Sequence, residues 1–190
     1  MQACGAFLIE DPAVIEKLRQ LAFIDGKINS KIVGRNPNII GKMLGIEVPK
    51  TAKVLLLKVN GKGTEDILCK EMLFPIVRYR IYKDFKEGID ALLANLEMEG
   101  AGHSSAIWSN IRENIAYATY RVPVGRFHVN QCTAGSGNGM PATVTIGCGS
   151  WGGNSMSENL NYNHFMNKTH VTHSLPDYHI PDPADWEIWE

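Results

Sequence analysis

Lys53-Val-Leu-Leu-Leu-Lys-Val59 decides the fold class, because its unbroken aliphatic run, Val54 to Leu57, lies between lysines and leads into the turn pair Asn60-Gly61. Alternating apolar and polar residues would mark a strand with one wet face. A continuous run marks a strand covered on both faces, and such strands belong to parallel sheets under helices. Toward the N-terminus, Asp11-Pro12 reads as an N-cap with proline at the first helical position, followed by Val14, Leu18, Leu21 and Ala22 at helical spacing. This predicts a helix over about 12–24, ended by the turn pair Asp25-Gly26. Lys31 to Gly34 reads as a short strand. Asn36-Pro37 repeats the cap-plus-proline device ahead of Ile39, Ile40, Met43 and Leu44, predicting a second helix that stops at Gly45.

Toward the C-terminus, Ile76 to Tyr82 reads as a strand, and Asp84-Phe-Lys-Glu87 as a capping box opening a helix that carries Phe85, Ile89, Leu92, Leu93 and Leu96. Gly100-Ala-Gly102 closes it. Ser104 to Ser109 is expected as a strand, Ile111 to Arg121 as a helix and Arg126 to Val129 as another strand. Alternating strands and helices are βαβ units with right-handed crossovers, so the expectation is an α/β domain with a mostly parallel, twisted sheet flanked by helices over residues 1–160.

Composition narrows the function. A net charge of −1 with 21% charged residues offers nothing to a polyanion, which argues against nucleic acid as a partner. No apolar run approaches the roughly 20 residues that cross a bilayer, so no membrane partner is expected. The start lacks the basic region of a signal peptide. The four cysteines, Cys4, Cys69, Cys132 and Cys148, form no Cys-x-x-Cys pair, in keeping with a reduced, cytoplasmic protein.

The least ordinary run is Pro141 to Lys168. Thr143 to Ile146 reads as a strand, followed by Gly147, Gly149, Gly152 and Gly153 around Trp151. Gly147-x-Gly149-x-x-Gly152 matches a dinucleotide fingerprint in form but fails in context. A phosphate-binding loop opens a helix, whereas here a polar, aperiodic stretch comes next, so close backbone packing is the better reading. Gly135-Ser-Gly-Asn-Gly139 lacks a Gly-Lys-Ser/Thr ending and reads as a mobile or substrate-facing loop. His164, His170, His173 and His179 hold no helical i, i+4 pair, so no metal site is expected. Cys148 has no neighbouring base in sequence and reads as a small buried side chain rather than a nucleophile. His103 stands at a strand entrance, where active sites of parallel sheets lie, although a structural histidine is the simpler reading from residue type alone. The tail, 176–190, carries Trp186 and Trp189 without a core of its own and must pack on something else.

Glu71-Met-Leu-Phe-Pro75, Gly100-Ala-Gly-His-Ser-Ser105, Arg126 with Val129-Asn130, and Thr145 to Ser155 followed by Ser157-Glu-Asn159 and His164-Phe-Met-Asn167 together resemble the CoA-acylating aldehyde dehydrogenases of the acetaldehyde, succinate-semialdehyde and sulfoacetaldehyde types. The resemblance implies the C-terminal part of that fold: a catalytic-domain portion over 1–160, an oligomerisation strand over 161–175 and an acidic tail over 176–190. It also implies NAD or NADP as cofactor and coenzyme A as cosubstrate, with a cysteine thiolate attacking the aldehyde and CoA taking the acyl group. Neither Cys4 nor Cys148 matches the family nucleophile, which is expected upstream of Met1. Glu71, with Phe74 beside it, takes the cofactor position that hydrogen-bonds the nicotinamide ribose. His103 takes an auxiliary place near the CoA thiol, and Asn130, Gly135 and Gly137 line the substrate pocket. The expected partners are the aldehyde, coenzyme A, and further copies of the chain or the missing N-terminal half. A non-catalytic module that associates with full-length relatives is the alternative, and a stand-alone nucleotide-binding domain falls with the fingerprint.

Overall fold

The computed structural model describes residues 2–133, 148–156, 158 and 160–177. Strand β1, Ala6–Ile9, feeds α1, Pro12–Ala22, whose start is fixed by the Asp11 carboxylate accepting the Ala13 N–H at 2.8 Å. Ile15, Leu18 and Ala22 form its buried stripe. Asp25-Gly26 does more than end that helix. With both residues at positive φ, it closes a small antiparallel hairpin between β2, Phe23–Ile24, and β3, Lys27–Ile28.

The next segment departs from expectation. Residues 31–34 are a turn, not a strand, because Asn29 captures the local backbone: its amide donates to Leu21 O at 2.8 Å and its carbonyl accepts from Lys31 N at 3.0 Å. The apolar residue that suggested a strand, Ile32, is a fully buried plug in the core. Helix α2, Pro37–Leu44, then begins after Asn36 and ends at Gly45, whose φ of 76° supplies the left-handed cap.

Strand β4, Val54–Lys58, lies between β1 and β5, Ile76–Tyr79, in an all-parallel sheet, with Leu55 opposite both Phe7 and Ile76. Leu55 and Leu57 enter the main core with Ile9, Ile15, Leu18, Ile40 and Leu44, while Leu56 on the other face is still only 7% exposed. The unbroken aliphatic run thus marks a central parallel strand. Strand β1 has no such run and is not foreseen from sequence.

Helix α3, Phe85–Met98, is capped by Asp84, which accepts the Glu87 N–H at 2.8 Å. Glu87 reaches back to Lys83 N, not to the Asp84 N–H of a reciprocal box, and also accepts from Arg80. Both contacts hold its carboxyl below the ordinary value, the Lys83 N–H most. Replacing Asp84 by alanine is expected to cost about 1 kcal/mol in urea denaturation, and an unchanged midpoint would refute the cap. Strand β6, Gly102–Ile107, then α4, Arg112–Arg121, then β7, Val124–Val129, form a βαβ unit in which β6 and β7 pair in parallel beside a second core of Ile89, Ala118, Val122, Phe85, Leu92 and Phe127.

The chain divides into two units, Met1–Asn159 and Leu160–Glu190. In the second, Asn161 caps a 3-10 turn, Tyr162–Phe165, by accepting the Asn163 N–H at 2.9 Å. Within 161–175, expected as an oligomerisation strand, the described residues form no strand in this single chain. The cap starts a turn there, and no described strand offers a ladder to the residues beyond it, leaving Phe165 and Val171 about four-fifths exposed. The expected strand at Thr143 to Ile146, Gly147, and the tail from 178 onward with Trp186 and Trp189 lie outside the described residues. Among the described residues no helix is long and apolar enough to cross a membrane.

Candidate functional site

Three stretches that are distant in sequence meet at the start of β6. The first is the entrance to β5. There the Glu71 N–H donates to Glu99 Oε2 at 2.7 Å and Lys70 Nζ lies 3.6 Å from Glu99 Oε1. Arg78 holds the same entrance from inside, donating to Cys69 O at 2.8 Å and Lys70 O at 3.3 Å. The Glu71 carboxylate itself is exposed and makes no hydrogen bond among the described residues. Phe74 is 7% exposed and packs in the main core, so its ring supports the turn behind Glu71 rather than forming an open wall.

The second stretch begins at that same glutamate. Glu99 caps α3, and Gly100-Ala101-Gly102 turns the chain into β6 with φ of 105° and 84° at the two glycines. His103 is then exposed at the strand entrance, four residues from the Glu99 that clamps Glu71.

The third is the glycine-rich turn. Ser150–Gly152 is a single 3-10 turn flanked by Gly149 and Gly153 at positive φ, with no helix opening behind it. This bears out packing over phosphate binding. A side chain on Gly102 would strike the Cys148 carbonyl and approach Gly152 N to 2.8 Å, and one on Gly152 would reach Ala101 O at 2.7 Å. Bare backbone is therefore pressed against bare backbone. Cys148 is partly exposed, accepting from Asn154 Nδ2 at 2.9 Å and donating weakly to Gly152 O at 3.5 Å, with no described base beside it. Cys69 is buried, and burial pushes its thiol up, away from the thiolate form.

Asn130 stands apart from these groups. With φ of 53° it follows β7, its N–H bonds Ile107 O, and its amide clasps Ser109 in both directions at 2.9 and 3.0 Å. It ties together the far ends of β6 and β7, four residues or roughly 13 Å along the strand from His103. Gly135 and Gly137 lie outside the described residues. Among the described residues no three His, Cys, Asp or Glu side chains gather as metal ligands. Sequence reasoning missed Glu99, which looks like any surface carboxylate until its contact with Glu71 is seen.

No protein-family model matches the chain. It is 44% identical over 189 residues to the succinate-semialdehyde dehydrogenase (acetylating) of Clostridium kluyveri, a match covering 97% of this chain and 41% of that protein. It is 38% identical over 168 residues to the sulfoacetaldehyde dehydrogenase of an Acholeplasma species, covering 85% of this chain and 34% of that one. The acetylating aldehyde dehydrogenase of Geobacillus thermoglucosidasius superposes with a TM-score of 0.83 at 29% identity, over 95% of this chain and 40% of that structure. The chain thus spans about two fifths of the length of these relatives.

Proposed function

The chain belongs, as a partial-length homologue, to the CoA-acylating aldehyde dehydrogenases, and on that premise we propose that it supplies the C-terminal portion of a catalytic fold that converts an aldehyde, CoA and NAD(P)+ into an acyl-CoA and NAD(P)H. The observation that carries this reading is the Glu71–Glu99 hydrogen bond just ahead of the β6 entrance, where Gly102, next to His103, lies against the Cys148 turn. The names of the relatives favour a short aldehyde with an anionic far end.

The residues fit a nicotinamide ribose. Glu71 presents an unengaged carboxylate on a backbone fixed by Glu99, so it can accept from two adjacent hydroxyls without first breaking a protein contact. When bound, the nicotinamide accepts hydride and CoA provides the thiol that takes the acyl group. His103, exposed at the entrance of β6 and four residues from Glu99, is suited to receive a thiol proton. Phe74 holds the turn from behind, and Asn130, with Gly135 and Gly137 in the loop after it, is assigned to the substrate side at the other end of the strands. All four cysteines are free, which suits a reducing cytoplasm.

The test is a chimera in which this chain replaces the matching stretch of the Clostridium kluyveri enzyme. We expect CoA-dependent NAD(P)H formation from succinate semialdehyde, abolished by Glu71→Ala, and no activity from the 190-residue chain alone. A folded chimera that forms no acyl-CoA, or turnover by the chain alone, would overturn the proposal. The association reading draws on the second unit, whose Phe165, Met166, Val171 and Leu175 are all more than half exposed. Light scattering is expected to show concentration-dependent association of the chain, and a monomer at high concentration would count against it.

A further inference from the structure

We propose that the face of β6 and β7 carrying Ser104, Arg126 and His128 is a binding site for an anionic group of the carboxylate, sulfonate or phosphate class. The parallel register sets Ser104 opposite Arg126 and Ala106 opposite His128, so all four share one face. The other face, with Ser105, Ile107 and Phe127, is occupied by α3 and α4. Arg126 and His128 are two residues apart on one strand, about 6.7 Å along it, and Ser104 is one strand spacing away, about 4.8 Å.

Among the described residues, two polar groups on this face lack partners. Arg126 is only partly exposed, yet among the described residues its guanidinium makes no hydrogen bond and joins none of the ion pairs formed by Arg19, Lys58, Lys70, Arg80 and Arg121. His128 is 3% exposed and its Nε2 is unbonded. Buried polar atoms are normally paired, because an orphan forfeits its hydration without recompense. Strands 102–107 and 124–129 and the adjoining turn 148–154 contain no Asp or Glu, and none of these ion pairs of the described residues involves Arg126. A guanidinium fork offers two parallel N–H donors matched to carboxylate, sulfonate or phosphate oxygens, and the Ser104 hydroxyl adds a third donor alongside. Gly102 lies on the same face and carries the Cys148 turn, placing the site next to the meeting point of the three stretches.

The site stands on these residues alone, whereas the source of the anion rests on the proposed function: the far end of an anionic aldehyde, or a phosphate of CoA. Binding is measured on the 190-residue chain by calorimetry, without turnover, so inactivity of the chimera leaves the result untouched. Succinate and adenosine 3′,5′-bisphosphate are the probes, each against sodium chloride at equal ionic strength. We expect one of them to bind, which names the source, and Arg126→Gln to weaken that binding at least tenfold while Arg121→Gln leaves it unchanged. Should Arg126→Gln fail to fold, Arg126→Lys decides, since it keeps the charge but loses the fork and is expected to bind several-fold more weakly. Binding no stronger than that of chloride, or equal binding by the folded Arg126 variant, overturns the proposal.

Discussion

Gly102→Ala is expected to unseat the Cys148–Asn154 turn and to lower stability by roughly 3–4 kcal/mol, because two penalties combine at one residue. The residue holds φ of 84°, a conformation that costs an L side chain about 1–2 kcal/mol. The new methyl would also collide with the Cys148 carbonyl and come within 2.7 Å of its carbon and 2.8 Å of Gly152 N. These are backbone atoms that no rotamer change can move, and overpacking of this kind adds about 1–3 kcal/mol. At about 2–4 °C per kcal/mol for a chain of this size, the melting temperature should fall by some 10 °C. The local consequence can be read separately. In a Cys4→Ser, Cys132→Ser background, Cys69 is buried and Cys148 only partly so, so faster thiol modification reports the turn leaving β6. A variant that melts with the parent and protects Cys148 equally would show that the turn does not depend on bare backbone at Gly102.

Asp66→Ala is the second large effect, on the order of 3 kcal/mol. Asp66 has a side chain only 5% exposed and takes Arg19 in a two-pronged pair, Nε to Oδ1 at 3.0 Å and Nη2 to Oδ2 at 2.6 Å, while Oδ1 also accepts the Leu68 N–H. Removing the carboxylate strands a part-buried guanidinium and a buried N–H together, and it unties α1 from the loop that leads to Glu71. The pair also predicts a pH signature. Burial by itself would raise the Asp66 carboxyl, but hydrogen bonds from Arg19 and Leu68, aided by the charges of Arg19 and Arg78, outweigh it and hold the group below its ordinary 3.8. A depressed native pKa contributes stability that is present above the unfolded value and lost as pH falls through the native one. The parent should therefore lose this increment below about pH 4, whereas Asp66→Ala has none to lose there. Urea midpoints at pH 7 and pH 3 check it: parallel pH profiles for the two proteins would refute the assignment.

How much of this was legible beforehand depends on the range of each signal. The caps at Asp11, Asp84 and Gly45 are local devices, each settled by residues within a turn of one another, and they stand where the sequence places them. Lys31 to Gly34 misled because a short apolar stretch carries no information about Asn29, whose side chain takes over its backbone. Residues 161–175 are a different case, since a strand that pairs between chains needs a second copy, and no described segment of this chain is its partner. At the candidate site, Glu71 and His103 are recognisable from their motifs. Glu99, which holds the Glu71 backbone, and the unpaired state of Arg126 and His128 among the described residues are not.

The sequence by itself determined the class of the fold and the family, because an aliphatic run covered on both faces admits few architectures and the Gly-Cys-Gly-Ser-Trp-Gly-Gly-Asn segment is distinctive as a string of residues. Tertiary structure alone decided what that segment is for. Gly152 is needed because the Ala101 carbonyl lies against it, and Gly102 because the Cys148 turn lies against it, and a contact across some 50 positions leaves no periodicity to read. The same holds for charge: whether an arginine is paired depends on which side chains the register of β6 and β7 sets around it, and register is a three-dimensional fact.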